Sequence, residues 1–155
     1  MILGGETVDI KIICKKENYD TYAQMLKSAG FTISIDADLT FREDNFIQDT
    51  VIGKTDEVFE IVHYSKIVLV ESFGHDIILH TINKRFSIKE KLFEIEGVFE
   101  DRGLIRVNKS QIINRAMIKE IRPSFNSKLT ILMKNGVFVD VTRNYLIQFK
   151  EYIGF

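Results

Sequence analysis

The stretch from Leu129 to Val141 leaves the chain the fewest options. Leu129, Ile131 and Met133 recur at every second position, run into Asn135-Gly136, and hand over to Val137, Val139 and Val141. Apolar residues at every second position suit a strand with one buried face. Asparagine followed by glycine takes left-handed backbone more readily than other pairs, and so marks a hairpin. This region therefore folds back on itself as antiparallel β structure. The pattern extends upstream: Val58–Tyr64, Lys66–Ser72 and Asp76–Ile82 read as strands, with Ser72-Phe73-Gly74-His75 as a tight connection between the last two. Two helices interrupt the series. Ser87 with Glu90 three residues on forms a capping-box pattern ahead of Ile88, Leu92 and Ile95, and this helix is expected to end at Gly97. Thr142 is placed to cap a last helix bearing Leu146, Phe149 and Ile153, closed near Gly154.

The N-terminal third reads differently. Val8, Ile10, Ile12 and Cys14 alternate as a strand. Asn18 is placed to cap a helix whose apolar positions Tyr19, Tyr22, Ala23, Leu26 and Ala29 follow the 3.6-residue repeat, with Gly30 as its left-handed stop. Phe31, Ile33 and Ile35 form a second strand, and Asp36-Ala37-Asp38 a turn. The segment Leu39–Ile52, with Phe41, Phe46, Ile47, Val51 and Ile52, fits neither period and reads as extended chain joining two parts. The expected fold is α+β and mainly β: a small acidic strand–helix–strand segment over 1–50 and a larger β domain over 51–155.

Composition limits the function. With 45% apolar and 28% charged residues and one proline, the 155-residue chain has ample material for a core. There is no run of about 18 apolar residues for a membrane span. Met1-Ile2-Leu3-Gly4-Gly5-Glu6 lacks the cationic start and apolar stretch of a secretory signal. Cys14 is the only cysteine, so no internal disulfide can form, and a reducing cytoplasm is the expected location. His63, His75 and His80 show no metal-ligand spacing with one another or with Cys14, and there is no phosphate loop or nucleophile elbow. A cofactor-free, metal-free protein that is not an enzyme is the reading. Cys14 itself reads as a core residue of its strand.

Charge is unevenly spread. Residues 1–60 hold 6 Lys+Arg against 12 Asp+Glu, whereas Arg102–Lys150 hold 10 cations against only Glu120 and Asp140. A basic half beside an acidic one points to a polyanionic partner for the C-terminal part. Within it, Arg106-Val107-Asn108-Lys109-Ser110-Gln111 is a short polar turn between the apolar anchors Leu104-Ile105 and Ile112-Ile113. Lysine donates to guanine O6 and N7, and asparagine pairs with adenine. Ser110 and the backbone amides beside it suit a phosphate oxygen. Arg143 follows the cap position Thr142 at a helix N-terminus, itself favourable to anions, with Asn144 and Tyr145 next. Structural roles compete: Asn108 and Asn114 are good turn residues, and Arg106 could pair with Glu120.

At these residues the chain resembles a known family. From about Val51 to Phe155 it is similar to the LytTR DNA-binding domain. The resemblance rests on Glu71-Ser72-Phe73-Gly74-His75, Phe86–Leu92, Arg106-Val107-Asn108-Lys109-Ser110 with the later Asn114, Ile118–Ile121, Leu129–Gly136, and Val141-Thr142-Arg143-Asn144-Tyr145, in the family's order. Asn108 stands where the family usually has histidine, and Thr142 where it often has serine. The resemblance implies an elongated β domain that places loops, not a recognition helix, in successive major grooves. Base contacts would fall to His75, Lys109 and Arg143. Arg106, Asn108, Ser110, Gln111, Thr142, Asn144 and Tyr145 would contact the backbone or support the loops. The partner implied is double-stranded promoter DNA with repeated half-sites, bound by a homodimer of a response-regulator-like transcription factor. Residues 1–50 are too short for a phosphoacceptor receiver domain, and are expected to pack on the β domain, join two subunits or hold a protein partner. The competing reading is an interaction module that pairs with or antagonises another LytTR regulator. An RNA binder fits less well, because aromatic residues do not interleave with the basic patch.

Overall fold

The computed structural model describes residues 6–44, 48–126 and 128–155. Met1–Gly5, in the stretch tested above for a secretory signal, and Phe46 and Ile47 of the joining segment lie outside the described residues. The chain forms two compact units, one within residues 1–48 and one within 49–155.

The first unit has β1 (Val8–Ile13), α1 (Tyr19–Ser28), β2 (Phe31–Ile33) and β3 (Leu39–Arg42). Both β2 and β3 run parallel to β1, one on each side, and Ile10 pairs with Ile33 on one side and Leu39 on the other. The expected joining segment is therefore corrected at its start: Leu39–Arg42 is a third strand. Its pairing residues span only four positions, too few for a period to emerge. Gly30 takes φ of +98° just past α1, as a left-handed stop requires. Asn18 precedes α1, but its side chain makes no capping bond. It donates instead from Nδ2 to Glu43 Oε1 at 2.7 Å. Glu43 also accepts from the Lys15 amide at 2.9 Å and the Tyr22 hydroxyl at 3.1 Å, so one carboxylate ties the end of β3 to β1 and α1.

The second unit begins with β4 (Thr50–Thr55), β5 (Val58–His63), β6 (Leu69–Phe73), β7 (Asp76–His80) and β8 (Arg85–Ile88). It continues through α2 (Leu92–Phe99), β9 (Leu104–Asn108), β10 (Gln111–Asn114), β11 (Ile118–Pro123), β12 (Leu129–Met133), β13 (Phe138–Val141) and α3 (Arg143–Ile153). Seven strands form one sheet in the order β5-β4-β8-β7-β6-β10-β9, and β11-β12-β13 form a second. Two expectations are corrected. Ser87 does not open a helix: Arg85–Ile88 pairs with β7, turning Phe86 and Ile88 inward. The helix begins at Leu92, where the Glu94 carboxylate accepts the Lys91 amide at 3.2 Å. Nor does it stop at Gly97, because Phe99 is fully buried beyond it; the chain turns only at Gly103, φ +97°. At the predicted hairpin, Gly136 alone takes positive φ, +87°, and its amide closes the turn on Met133 O at 2.9 Å.

Strands β6, β10 and β9, at one end of the seven-stranded sheet, are buried on both faces. Val70, Leu104 and Ile112 point to a core that includes α2 and Phe86. Leu69, Ile105, Val107 and Ile113 point to a second core with β12, β13 and Phe149 of α3. This explains why these strands read as apolar doublets rather than alternation. Asn114 is buried at the junction, donating to Ile67 O at 2.8 Å and accepting from the Ala116 amide at 3.0 Å. Its place in the motif is thus structural.

Gly53 has a steric reason. A Cβ built on it would lie 2.6 Å from Cγ of Phe86. Gly53→Ala is expected to cost about 1–3 kcal/mol in thermal or urea unfolding, partly recovered by Phe86→Leu. An unchanged midpoint would contradict this packing. Glu43 gives a pH prediction for the first unit. The Lys15 amide, and then the Asn18 and Tyr22 donors, hold its carboxyl below the ordinary glutamate value despite opposing desolvation. The stability it contributes is therefore present above that ordinary value and lost as pH falls through the lowered one. Glu43→Gln should flatten this acid-side decline in amide exchange of residues 8–42; a decline identical to that of the parent chain would rule the link out.

Candidate nucleic-acid interface

The β9–β10 hairpin is hydrogen-bonded on both sides. The end of β6 and the β13–α3 junction are tied to it by three bonds: the Ser72 amide to Ser110 O at 2.9 Å, the Thr142 amide to Val107 O at 3.1 Å, and Asn108 Nδ2 to Asp140 O at 2.9 Å. Register requires this meeting. β10 pairs with β6 through Gln111 and Glu71, while β9 lies against β13 and α3.

A chain of side chains continues the stitching. His80 Nε2 lies 2.9 Å from Glu71 Oε1, and Glu71 Oε2 accepts from Gln111 Nε2 at 2.9 Å. Gln111 Oε1 accepts from Asn108 Nδ2 at 2.8 Å, and Asn108 Oδ1 accepts the Ser110 amide at 2.8 Å. Asn108 thus uses both its oxygen and its nitrogen inside the protein. Arg106 fixes the same tip from below. Its guanidinium donates to Asn108 O at 3.0 Å and to Lys109 O, and pairs with Glu96 of α2 at 3.1 Å. Hydrogen bonds to charged groups contribute about 1.5–3 kcal/mol each when shielded, and this guanidinium is mostly covered.

The residues singled out from the sequence therefore separate into two sets. His75, Lys109, Ser110, Arg143 and Asn144 are exposed. His75 follows Gly74, whose φ of +63° makes the turn. Arg143 and Asn144 form the first turn of the 11-residue α3. Thr142 holds the cap position without a side-chain capping bond; the Tyr145 amide reaches its carbonyl oxygen at 2.9 Å. Tyr145 is half-buried against the second core. Arg106, Asn108 and Gln111 turn inward and hold the loop. Two expectations are corrected here. Arg106 pairs with Glu96, not Glu120, which binds Arg122. The Ser110 amide is occupied by Asn108, leaving only the hydroxyl of this residue directed outward.

Glu71, His80, Glu96 and Asp140 were given no supporting role from the sequence, yet they hold the tip. Asp140 contributes its carbonyl, while its carboxylate accepts from the Thr130 hydroxyl at 3.0 Å. The sequence does not reveal these pairings, because the partners lie up to 40 positions away. Among the described residues no group of three or more His, Cys, Asp and Glu side chains is gathered for a metal ion. Cys14 lies just past β1 rather than in it, half-buried, and desolvation, then the Glu43 charge, pushes its thiol up, away from the reactive thiolate.

The hairpin tip and the start of α3 are held on a β scaffold, and α2 and α3 are separated by five strands. Residues 57–154 match the model of the LytTr DNA-binding domain, and the chain belongs to that family. It is 26% identical over 105 residues to an HTH-type transcriptional regulator of Staphylococcus aureus, covering 68% of this chain and 71% of that one. It is 34% identical over 80 residues to the sensory transduction protein LytT of Bacillus subtilis, and 28% over 110 residues to the transcriptional regulatory protein LytR of S. aureus. The aligned part spans only 33% of LytT and 44% of LytR, against 52% and 71% of this chain. A solved LytTr DNA-binding domain from Bacillus cereus superposes with a TM-score of 0.66 at 28% identity, over 70% of this chain and 99% of that domain.

Asn108→Ala removes the acceptor of the Ser110 amide and both donations of Nδ2. It should cost about 1–3 kcal/mol through the groups left unpaired, and hydrogen exchange at Ser110 and Gln111 should speed up by at least tenfold relative to β10. Exchange unchanged at these amides would contradict the pinned tip.

Proposed function

We propose that this protein is a sequence-specific regulator of transcription that binds double-stranded DNA, presenting its loops to the major groove. The observation that carries the reading is the division of labour at the hairpin tip. Arg106, Asn108 and Gln111 are consumed in holding it, whereas Lys109 and the Ser110 hydroxyl face outward beside the exposed Arg143. Donors carried on a hairpin whose backbone is already pinned suit direct base readout, since less chain entropy is lost on binding. His75, Lys109 and Arg143 take base edges; Ser110, Thr142 and Asn144 take phosphates. The first turn of α3 adds a favourable end for an anion. Asn108 supports the loop instead of reading a base. The protein acts without metal or cofactor, in the cytoplasm, on repeated half-sites. No helix of the described residues is long and apolar enough to cross a membrane.

The test is retardation of a duplex selected from a random pool. Lys109→Ala and Arg143→Ala should each relax selection at one base position, costing about 1–3 kcal/mol against the preferred base. Together they should abolish specific retardation with the circular dichroism spectrum unchanged. Affinity of the parent should fall steeply with salt as counterions are released. A double variant that selects the same sequence with the same affinity would overturn the assignment.

A further inference from the structure

Four of the sheet edges in this protein are handled in different ways. At one end of the seven-stranded sheet, β9 is covered by α3 and β13. At one end of the small sheet, β13 is likewise packed against β9, while the other end, β11, carries Lys119, Glu120, Arg122 and Pro123, with Glu120 and Arg122 paired. Charges and proline on an edge are the usual means of preventing another strand from adding to it. β5, at the other end of the large sheet, has no strand beyond it among the described residues and no proline, lysine or arginine in it. It reads Val58-Phe59-Glu60-Ile61-Val62-His63, and its one carboxylate is neutralised by Lys84 at 3.1 Å.

The solvent face beside this edge is apolar as well. Ile61 is 77% exposed, Phe59 61% and Ile52 57%. Ile52 lies directly opposite Ile61 and Lys54 opposite Phe59, with the lysine ammonium 5.5 Å from the ring centre. An apolar face continuous with an open backbone edge is a docking surface rather than a scatter of single exposed residues.

We propose that β5 pairs antiparallel with β5 of a second copy of this chain, about a two-fold axis at Ile61. The register follows from the backbone. The Tyr64 amide donates to Asp49 O at 2.9 Å, and Val62, Glu60 and Val58 face β4 at alternate positions after it. Antiparallel strands alternate their bonding direction, so Phe59, Ile61 and His63 direct their amides and carbonyls to the open side. Two central registers use these groups with the most overlap. An axis at Glu60 sets two carboxylates face to face, which is destabilising. An axis at Ile61 sets Ile61 against its own copy, Phe59 against His63 of the second copy, and Glu60 against Val62 of the second copy. No like charges meet, and Ile52, Phe59 and Ile61 of both copies become neighbours on one face of the joined sheet. Such an isologous contact closes after two subunits and does not grow into a fibre.

The experiment uses the full chain without DNA, so its outcome does not depend on the DNA-binding reading. In a Cys14→Ser background, Ile61→Cys places two thiols across the axis, where opposed Cα atoms are about 5.5 Å apart and within disulfide reach. Mild oxidation should give a covalent dimer with Ile61→Cys and none with Lys54→Cys, one strand further in. Sedimentation should give twice the 18.0 kDa chain mass for the parent and 18.0 kDa for Ile61→Lys, with unchanged circular dichroism. A parent that stays monomeric at high micromolar concentration would overturn the proposal. So would an Ile61→Lys chain that remains dimeric, or an Ile61→Cys chain that does not cross-link.

Discussion

Arg106 leaves β9 and turns its guanidinium back under the next residues, onto the carbonyls of Asn108 and Lys109, with Glu96 of α2 as its counter-ion. That one group joins a helix, a strand and a hairpin tip. It can do so because β9 is held from both sides. Leu104 belongs to the core that includes α2, and Ile105 and Val107 to the core under β12, β13 and α3. A hairpin on a one-sided sheet could rock about its strands; this one cannot without opening one core or the other. The Glu71–Gln111–Asn108 chain then fixes the tip sideways to β6.

The consequence is a sharp contrast across two or three residues. Side chains at 106, 108 and 111 are spent on structure, and those at 109 and 110 remain for a ligand. Glu71 illustrates the electrostatic side of the arrangement. A carboxylate near a surface meant for DNA would repel phosphate, but both its oxygens are occupied, one by His80 and one by Gln111. Glu96 is offset by the Arg106 guanidinium, and the Asp140 carboxylate accepts from the Thr130 hydroxyl. Of these acids, Glu96 is the one whose charge a guanidinium offsets directly.

Much of this was legible from the residues. The alternation over 129–141 marked a hairpin, and the positions of α1 and α3 followed from apolar spacing with Gly30 and Gly154 as left-handed stops. What escaped has physical causes. The Ser87–Glu90 pattern is locally a good helix start, but Phe86 and Ile88 gain burial by lying in a ladder with β7, and tertiary packing overrides local capping. β3 was missed because four residues show no period until β1 stands beside them. At the interface, residue type revealed where polar groups cluster but not which way they face. Asn108 and Lys109 are adjacent and equally able to bond a base; only the positions of Gln111 and Asp140 decide that Asn108 turns in.

The central claim is that the outward groups of a pinned tip meet DNA while the pins stay in place. The most direct measurement is a heteronuclear NMR titration of the full chain with a duplex selected from a random pool. The account predicts large shifts at the amides of His75, Lys109, Ser110, Arg143 and Asn144, with the Asn108 side-chain amide and the Arg106 Nε–H remaining protected from exchange. Shifts confined to other surfaces, or loss of protection at Asn108 and Arg106 on binding, would contradict it.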